Sequence, residues 1–120
     1  MIVEIVTFKS PPGWDRSAVL EDAKHTIPKW TANRDLVRKH FLVGLGDAAD
    51  IGCGVYVWPS IQAAEAAHDA AWREGVKKRT GGYPEIRCFD LMLLIDNAAG
   101  TVTEYDAAGK ARALERAPAE

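Results

Sequence analysis

Three residues in this chain combine the types and spacing that proton chemistry needs. His40, Tyr56 and Asp90 lie in separate β-rich runs, and pleat alternation predicts that they share one sheet face. A histidine has the intrinsic pKa of a general base near neutrality, and Asp90 can orient its imidazole. Tyr56 or Arg38 can steady the anion that proton removal leaves behind. Asp90 needs a partner in any case, because burying a carboxylate costs several kcal/mol unless it is paired or neutralised. The same residues also fit a structural polar cluster, or groups at sheet edges in water. Glu4 is a second candidate base, or simply a partner for Arg38.

A second set of side chains suits a flat ligand. Phe8, Trp14, Trp30 and Trp58 can stack on an aromatic ring. Ile61, Ala64, His68, Trp72 and Gly75 recur at helical spacing and form one stripe. One reading of that stripe is an amphipathic helix with His68 at the edge of the core. The other is that its Ala and Gly leave room for a ligand against Trp58 and Trp72.

The elements that must position these groups follow from pattern and punctuation. IVEIVTF (2–8) reads as a strand stopped by SPPG. Ala18, Val19, Ala23, Ile27 and Trp30 predict a helix, with Asp15 or Ser17 as N-cap and Pro28 ending or kinking it. LVRKHFLVGL (36–45) and DIGCGVYVW (50–58) flank GDAAD and predict a hairpin. Pro59 and Ser60 open a second helix that runs to about Arg79, before Thr-Gly-Gly. EIRCFDLMLLID (85–96) is the fourth predicted strand, and residues 97–120 read as a tail or a marginal hairpin.

The order β-α-β-β-α-β is the ferredoxin-like arrangement: an antiparallel sheet with two helices on one face, in a domain spanning 1–96. Strands one and three are expected at its centre, with strand four beside strand one. Alternation then gives two faces. Val3, Ile5, Phe41, Val43, Val55, Val57, Phe89 and Leu91 form one; Glu4, Val6, Phe8, Arg38, His40, Leu42, Tyr56, Trp58, Cys88 and Asp90 form the other. Two helices cover only one face, so the second is expected to pack on another copy of the chain in a homodimer.

Composition narrows the partners. The chain has 120 residues, 48% of them hydrophobic and 27% charged, with a net charge of -2, which gives no electrostatic reason to expect nucleic acid or a membrane as partner. No apolar run is long enough to span a bilayer. MIVEIVTFK has no basic stretch ahead of an apolar one, so a cytoplasmic location is expected. Cys53 and Cys88 lack metal-ligand spacing and read as free thiols. P-loop, GxGxxG, HExxH and CxxC motifs are absent, so nucleotide and zinc chemistry have no support.

The element order, the GVYVW strand end followed by PSIQAAEAAHDAAW, and the closing EIRCFDLMLLID resemble the dimeric α+β barrel proteins. Within them the chain is most similar to the antibiotic-biosynthesis monooxygenase-like group and its small bacterial mono-oxygenase branch, over roughly 1–96. That resemblance implies a cavity between sheet and helices, with the other sheet face building a dimer barrel. It implies oxidation of a small flat phenolic or quinone-like substrate by molecular oxygen, with no metal or flavin. Such chemistry requires removing a proton and excluding water. His40, Asp90 and Tyr56 are then the expected catalytic residues. Phe8, Trp30, Arg38, Trp58, His68 and Trp72 are expected to bind substrate. Haem-degrading relatives use an Asn on strand one, a Trp closing strand three and a His late in helix two. Only Trp58 matches; Val6-Thr7-Phe8 and Gly75-Val76-Lys77 stand at the other places, so no cofactor is expected. A non-catalytic binding or stress-response barrel and a muconolactone-isomerase-like isomerase are the alternatives.

Overall fold

Breakers and caps set where each element starts and stops. The computed structural model describes residues 1–116. β1 (Ile2–Lys9) ends at the Pro11-Pro12-Gly13 turn. Asp15 then caps α1 (Arg16–His25), its Oδ1 accepting the Ala18 N–H at 2.9 Å. Thr26 separates α1 from the short α2 (Ile27–Thr31), which carries Pro28 at its start, where a missing N–H costs nothing. β2 (Arg38–Val43) and β3 (Ile51–Trp58) form a hairpin around a 3-10 turn at Gly46–Ala48.

The second predicted helix is two helices. Ser60 caps α3 (Ile61–Ala67) through the Ala63 N–H. His68 leaves helical geometry (φ -112, ψ 54), and Asp69 caps a new start, α4 (Ala70–Thr80), through the Trp72 N–H at 2.9 Å. Gly81 ends α4 in the left-handed conformation that glycine adopts without a Cβ penalty.

The main sheet has the order β2-β3-β1-β4, all antiparallel, with β4 at Glu85–Asp90. This is the ferredoxin-like α+β arrangement, with β1 and β3 central. The fourth predicted strand divides at Leu91-Met92: β5 (Leu93–Asp96) leaves the sheet and joins β6 (Thr101–Tyr105) and β7 (Ala111–Leu114) in a separate three-stranded sheet. Residues 97–116 therefore contribute two paired strands, and 117–120 of the expected tail lie outside the described residues. Among the described residues no helix is long and apolar enough to cross a membrane.

Register corrects one expectation about the faces. Glu4 lies opposite Tyr56, and Tyr56 opposite Lys39, so Lys39 and Phe41 share the helix-covered face. Arg38, His40 and Leu42 point to the other face, beside Val55 and Val57. The reason is loop length. Gly44 N–H bonds to the Ile51 carbonyl at 2.9 Å, so the connection comprises Leu45 as well as GDAAD. One residue added to a hairpin loop moves every side chain of a strand to the opposite face.

The core on the covered face holds Val6, Trp30, Tyr56, Trp58, Ala63 and Ala64. Gly109 closes the β6–β7 hairpin with φ +86, where a Cβ would lie 2.7 Å from the Met1 nitrogen. The turn thus docks against the start of β1. Gly109→Ala is expected to cost about 1–2 kcal/mol in a urea unfolding experiment; an unchanged midpoint would show that the turn does not pack there.

Candidate functional site

The core buries a carboxyl group, that of Glu4 on β1, 2% exposed. Its Oε1 accepts the Trp58 indole N–H at 2.9 Å. The same oxygen lies 2.8 Å from Nδ1 of His68, which is 1% exposed. That approach lies off the N–H axis, so the contact is close but is not a straight hydrogen bond. Nε2 of His68 has no hydrogen-bond partner among the described residues. The break between α3 and α4 is what drops this ring into the core. Trp30, Tyr56, Trp58 and Trp72 surround it, with the Trp72 ring centroid 4.1 Å away.

In front of this aromatic wall lies a cavity of about 660 Å³ between the sheet and helices α1, α2 and α4. Phe8, Trp14, Trp30, Phe41, Tyr56 and Trp72 supply its aromatic lining. Gly52 and Gly54 of β3 also line it, and both make room for rings: a Cβ would lie 2.5 Å from Phe8 at Gly52 and 2.9 Å from Tyr56 at Gly54. A shallower depression on α4, lined by Glu74, Gly75, Lys77, Lys78 and Gly81, consists of residues already in solvent.

The cavity is apolar with a cationic edge. Lys39 Nζ sits 3.9 Å from the Trp30 ring centroid, 4.0 Å from Phe41 and 4.5 Å from Tyr56. No carboxylate among the described residues lies within salt-bridge distance of it. Burial, followed by the nearby Lys29 and Arg79 charges, lowers its pKa from 10.5 to about 7. The ring faces oppose this, since they favour the ammonium form. Arg79 is held by Asp22 of α1 at 3.5 Å. Burial first, and then the Glu4 charge, push the Tyr56 phenol upward, so it stays protonated through neutral pH. Burial likewise raises the Cys53 and Cys88 thiols, both of which are free.

The sequence-predicted residues divide into three groups. Phe8, Trp30, Tyr56 and Trp72 meet at the cavity. Trp58 and His68 are buried behind it, on Glu4. His40 and Arg38 are exposed on the opposite sheet face, and Asp90 is exposed on β4, the far edge strand. Three strand spacings separate β2 from β4, roughly 14 Å. The expected His40–Asp90–Tyr56 grouping is therefore corrected: His40 lies neither on the face nor near the strand of Asp90. Lys39, Phe41 and Arg79 are the cavity residues that sequence reasoning missed. Among the described residues no group of His, Cys, Asp and Glu could hold a metal ion.

Solved structures share this fold. A Bordetella bronchiseptica protein provisionally named an antibiotic biosynthesis monooxygenase matches with a TM-score of 0.58 and 19% identity, over 77% of this chain and 97% of its own. A Deinococcus radiodurans protein provisionally given the same name matches with a TM-score of 0.55 and 10% identity, over 80% of this chain and 97% of its own. A Nitrosomonas europaea protein of unknown function matches with a TM-score of 0.61 and 13% identity, over 78% of this chain and 91% of its own. No protein-family model and no curated protein matches the chain. At these identities the likeness establishes the antibiotic biosynthesis monooxygenase-like fold.

Two outcomes test the site. Trp58→Phe strips the buried Glu4 of a donor and is expected to cost about 1–3 kcal/mol by chemical denaturation. Lys39 gives a pH signature. Below about pH 7 the amine is protonated in both folded and unfolded chains; from about 7 to 10.5 only the unfolded chain keeps the proton. Stability therefore rises with pH across that window. Lys39→Met is expected to raise stability at neutral pH and to remove this rise; urea midpoints at several pH values that track the parent protein would refute the buried amine.

Proposed function

We propose that this chain is a cofactor-independent monooxygenase acting on a small, flat phenolic or quinone-forming substrate, and that it works as a homodimer. The observation that carries the reading is the unpaired Lys39 amine on the wall of a cavity built from aromatic rings. A phenol stacked among Trp30, Tyr56 and Trp72 exchanges water for ring faces, an arrangement that favours planar ligands.

Lys39 then takes the base role for which its neighbour His40 had the right intrinsic chemistry and the wrong face. With its pKa lowered to about 7, the amine is available in unprotonated form near neutrality and can accept a phenol proton. The resulting ammonium pairs with the phenolate at the cavity edge. Electron density from the phenolate reaches the ring C–H carbon para to it, which adds dioxygen as the phenolate oxygen becomes a carbonyl, and the Lys39 ammonium returns its proton to give the hydroperoxide. Loss of water leaves a carbonyl, so one oxygen atom stays on carbon and the other departs as water. All four electrons come from the substrate carbon, which is why this route needs no reductant.

The outer sheet face supports the dimer. Phe89 and Leu42 stand 51% and 46% exposed there, flanked by Val3, Ile5, Val55 and Val57. An apolar sheet face of this extent is ordinarily covered. Phe41 belongs to the cavity side and is not part of it.

The reading is tested with a hydroxylated anthrone in an oxygen electrode. Metal-free protein should consume oxygen and release the anthraquinone. Lys39→Met should lower kcat by about 100-fold or more while tryptophan quenching by the ligand persists. Turnover that survives in Lys39→Met would remove the amine from the mechanism. In sedimentation, Phe89→Asp should convert a dimer into a monomer, because a charge there is desolvated at a cost of several kcal/mol. A monomeric parent protein would contradict the assembly.

A further inference from the structure

We propose that Lys39 is an amine nucleophile as well as a base: its Nζ forms an imine with small aromatic aldehydes and ketones that enter the cavity. Lysine amines attack carbonyls only when unprotonated, and an apolar pocket or an adjacent cation favours that form. Partial burial in the cavity wall and the nearby Lys29 and Arg79 charges supply both conditions at Lys39, against the pull of the ring faces toward the ammonium form. Its Nζ is bounded by the Trp30, Phe41 and Tyr56 rings, within 4.5 Å of each centroid. The cavity beside it accommodates a one- or two-ring carbonyl compound, at about 660 Å³.

The ionisable groups around the cavity come from every packed element. Lys29 belongs to α2, Arg79 to α4, Asp22 to α1, and Tyr56 and Cys53 to β3. Lys29 and Arg79 repel a third positive charge, and Asp22, the acid among them, faces Arg79. Among the described residues no carboxylate pairs with Lys39 to hold it as an ammonium ion. The direction of its pKa, down to about 7, follows from this arrangement.

The step balances without a further reagent. The Nζ lone pair attacks the carbonyl carbon, forming a C–N bond, and the C=O π pair moves to oxygen. A proton passes from nitrogen to that oxygen, giving a carbinolamine. The oxygen then leaves as water, carrying the two amine protons, and C=N forms. An aryl carbonyl held this way gains an electron sink, which acidifies its neighbouring C–H bonds.

The inference does not depend on the oxygenase reading, and its test excludes oxygen. Under nitrogen at about pH 7, the full chain is treated with 2-naphthaldehyde and cyanoborohydride, which fixes imines as secondary amines. Peptide mass mapping then compares Lys39 with the other six lysines. Lys39 should be alkylated at least about tenfold faster than any of them, with a rate that reaches half its maximum near pH 7. Arg79→Gln removes a repelling charge and should move that midpoint upward, while Lys39→Arg should leave only the slow background labelling. Uniform labelling of all lysines, or an unlabelled Lys39, would overturn the proposal. Selective trapping in a protein that consumes no oxygen with phenols would uphold this inference and sink the oxygenase reading.

Discussion

A carboxylate buried under two helices is the constraint around which this fold is arranged. Glu4 sits on a central strand at 2% exposure, where an unpaired charge would be prohibitively costly. Two nitrogens answer it, from opposite ends of the same connection: Trp58 closes β3 before Pro59 turns the chain, and His68 marks the gap between α3 and α4. The gap is thus more than a defect in a long helix. An uninterrupted helix would keep residue 68 on its stripe, whereas the non-helical His68 and the Asp69 cap place the imidazole on the carboxylate and restart the helix after it. The aromatic wall of Trp30, Tyr56 and Trp72 packs on that imidazole, and the cavity begins at the wall.

Behind the wall Glu4 meets nitrogens of Trp58 and His68; in front of it Lys39 meets no carboxylate among the described residues. The chain as a whole carries a net charge of -2, yet the cavity edge gathers Lys29, Lys39 and Arg79 against Asp22. Lys39 gets its partners from ring faces alone. A half-buried amine with no counter-ion among the described residues is destabilising for the fold and useful for chemistry, since it can accept a proton or donate an electron pair near neutrality. The proton acceptor and the amine nucleophile are two consequences of that single placement.

Much of this was legible in the sequence, and the failures have identifiable causes. Alternating patterns and Pro, Gly and Asp punctuation were enough for the β-α-β-β-α-β order and for the caps at Asp15 and Ser60. The aromatic residues Phe8, Trp30, Tyr56 and Trp72 line one cavity, whereas Trp58, expected beside Trp72 on the ligand, lies buried behind it. His40 went astray because both sheet faces take apolar side chains: Phe41 and Val43 make their set the more apolar one in β2, but that does not say whether it faces the helices or the outside. Only the loop length decides, and Leu45, 83% exposed, belongs to the loop although it looks like strand. The helix break at His68 is similarly hidden, since QAAEAAHDAAW is helix-favouring throughout, and only Asp69, a good N-cap, marks it. The departure of β5 from the main sheet has no local signal, because LMLLI continues the apolar run of β4.

The central claim is that Lys39 holds a desolvated amine without a counter-charge at the cavity wall. Its most direct measurement is an NMR titration of the lysine Cε–Hε signals, with Lys39 assigned by its loss in Lys39→Met. One resonance, from Lys39, should titrate with a midpoint near 7, well below the ordinary 10.5 that solvated lysines approach. A Lys39 signal that titrates together with the surface lysines would place the amine in water, and the account of the cavity would be wrong.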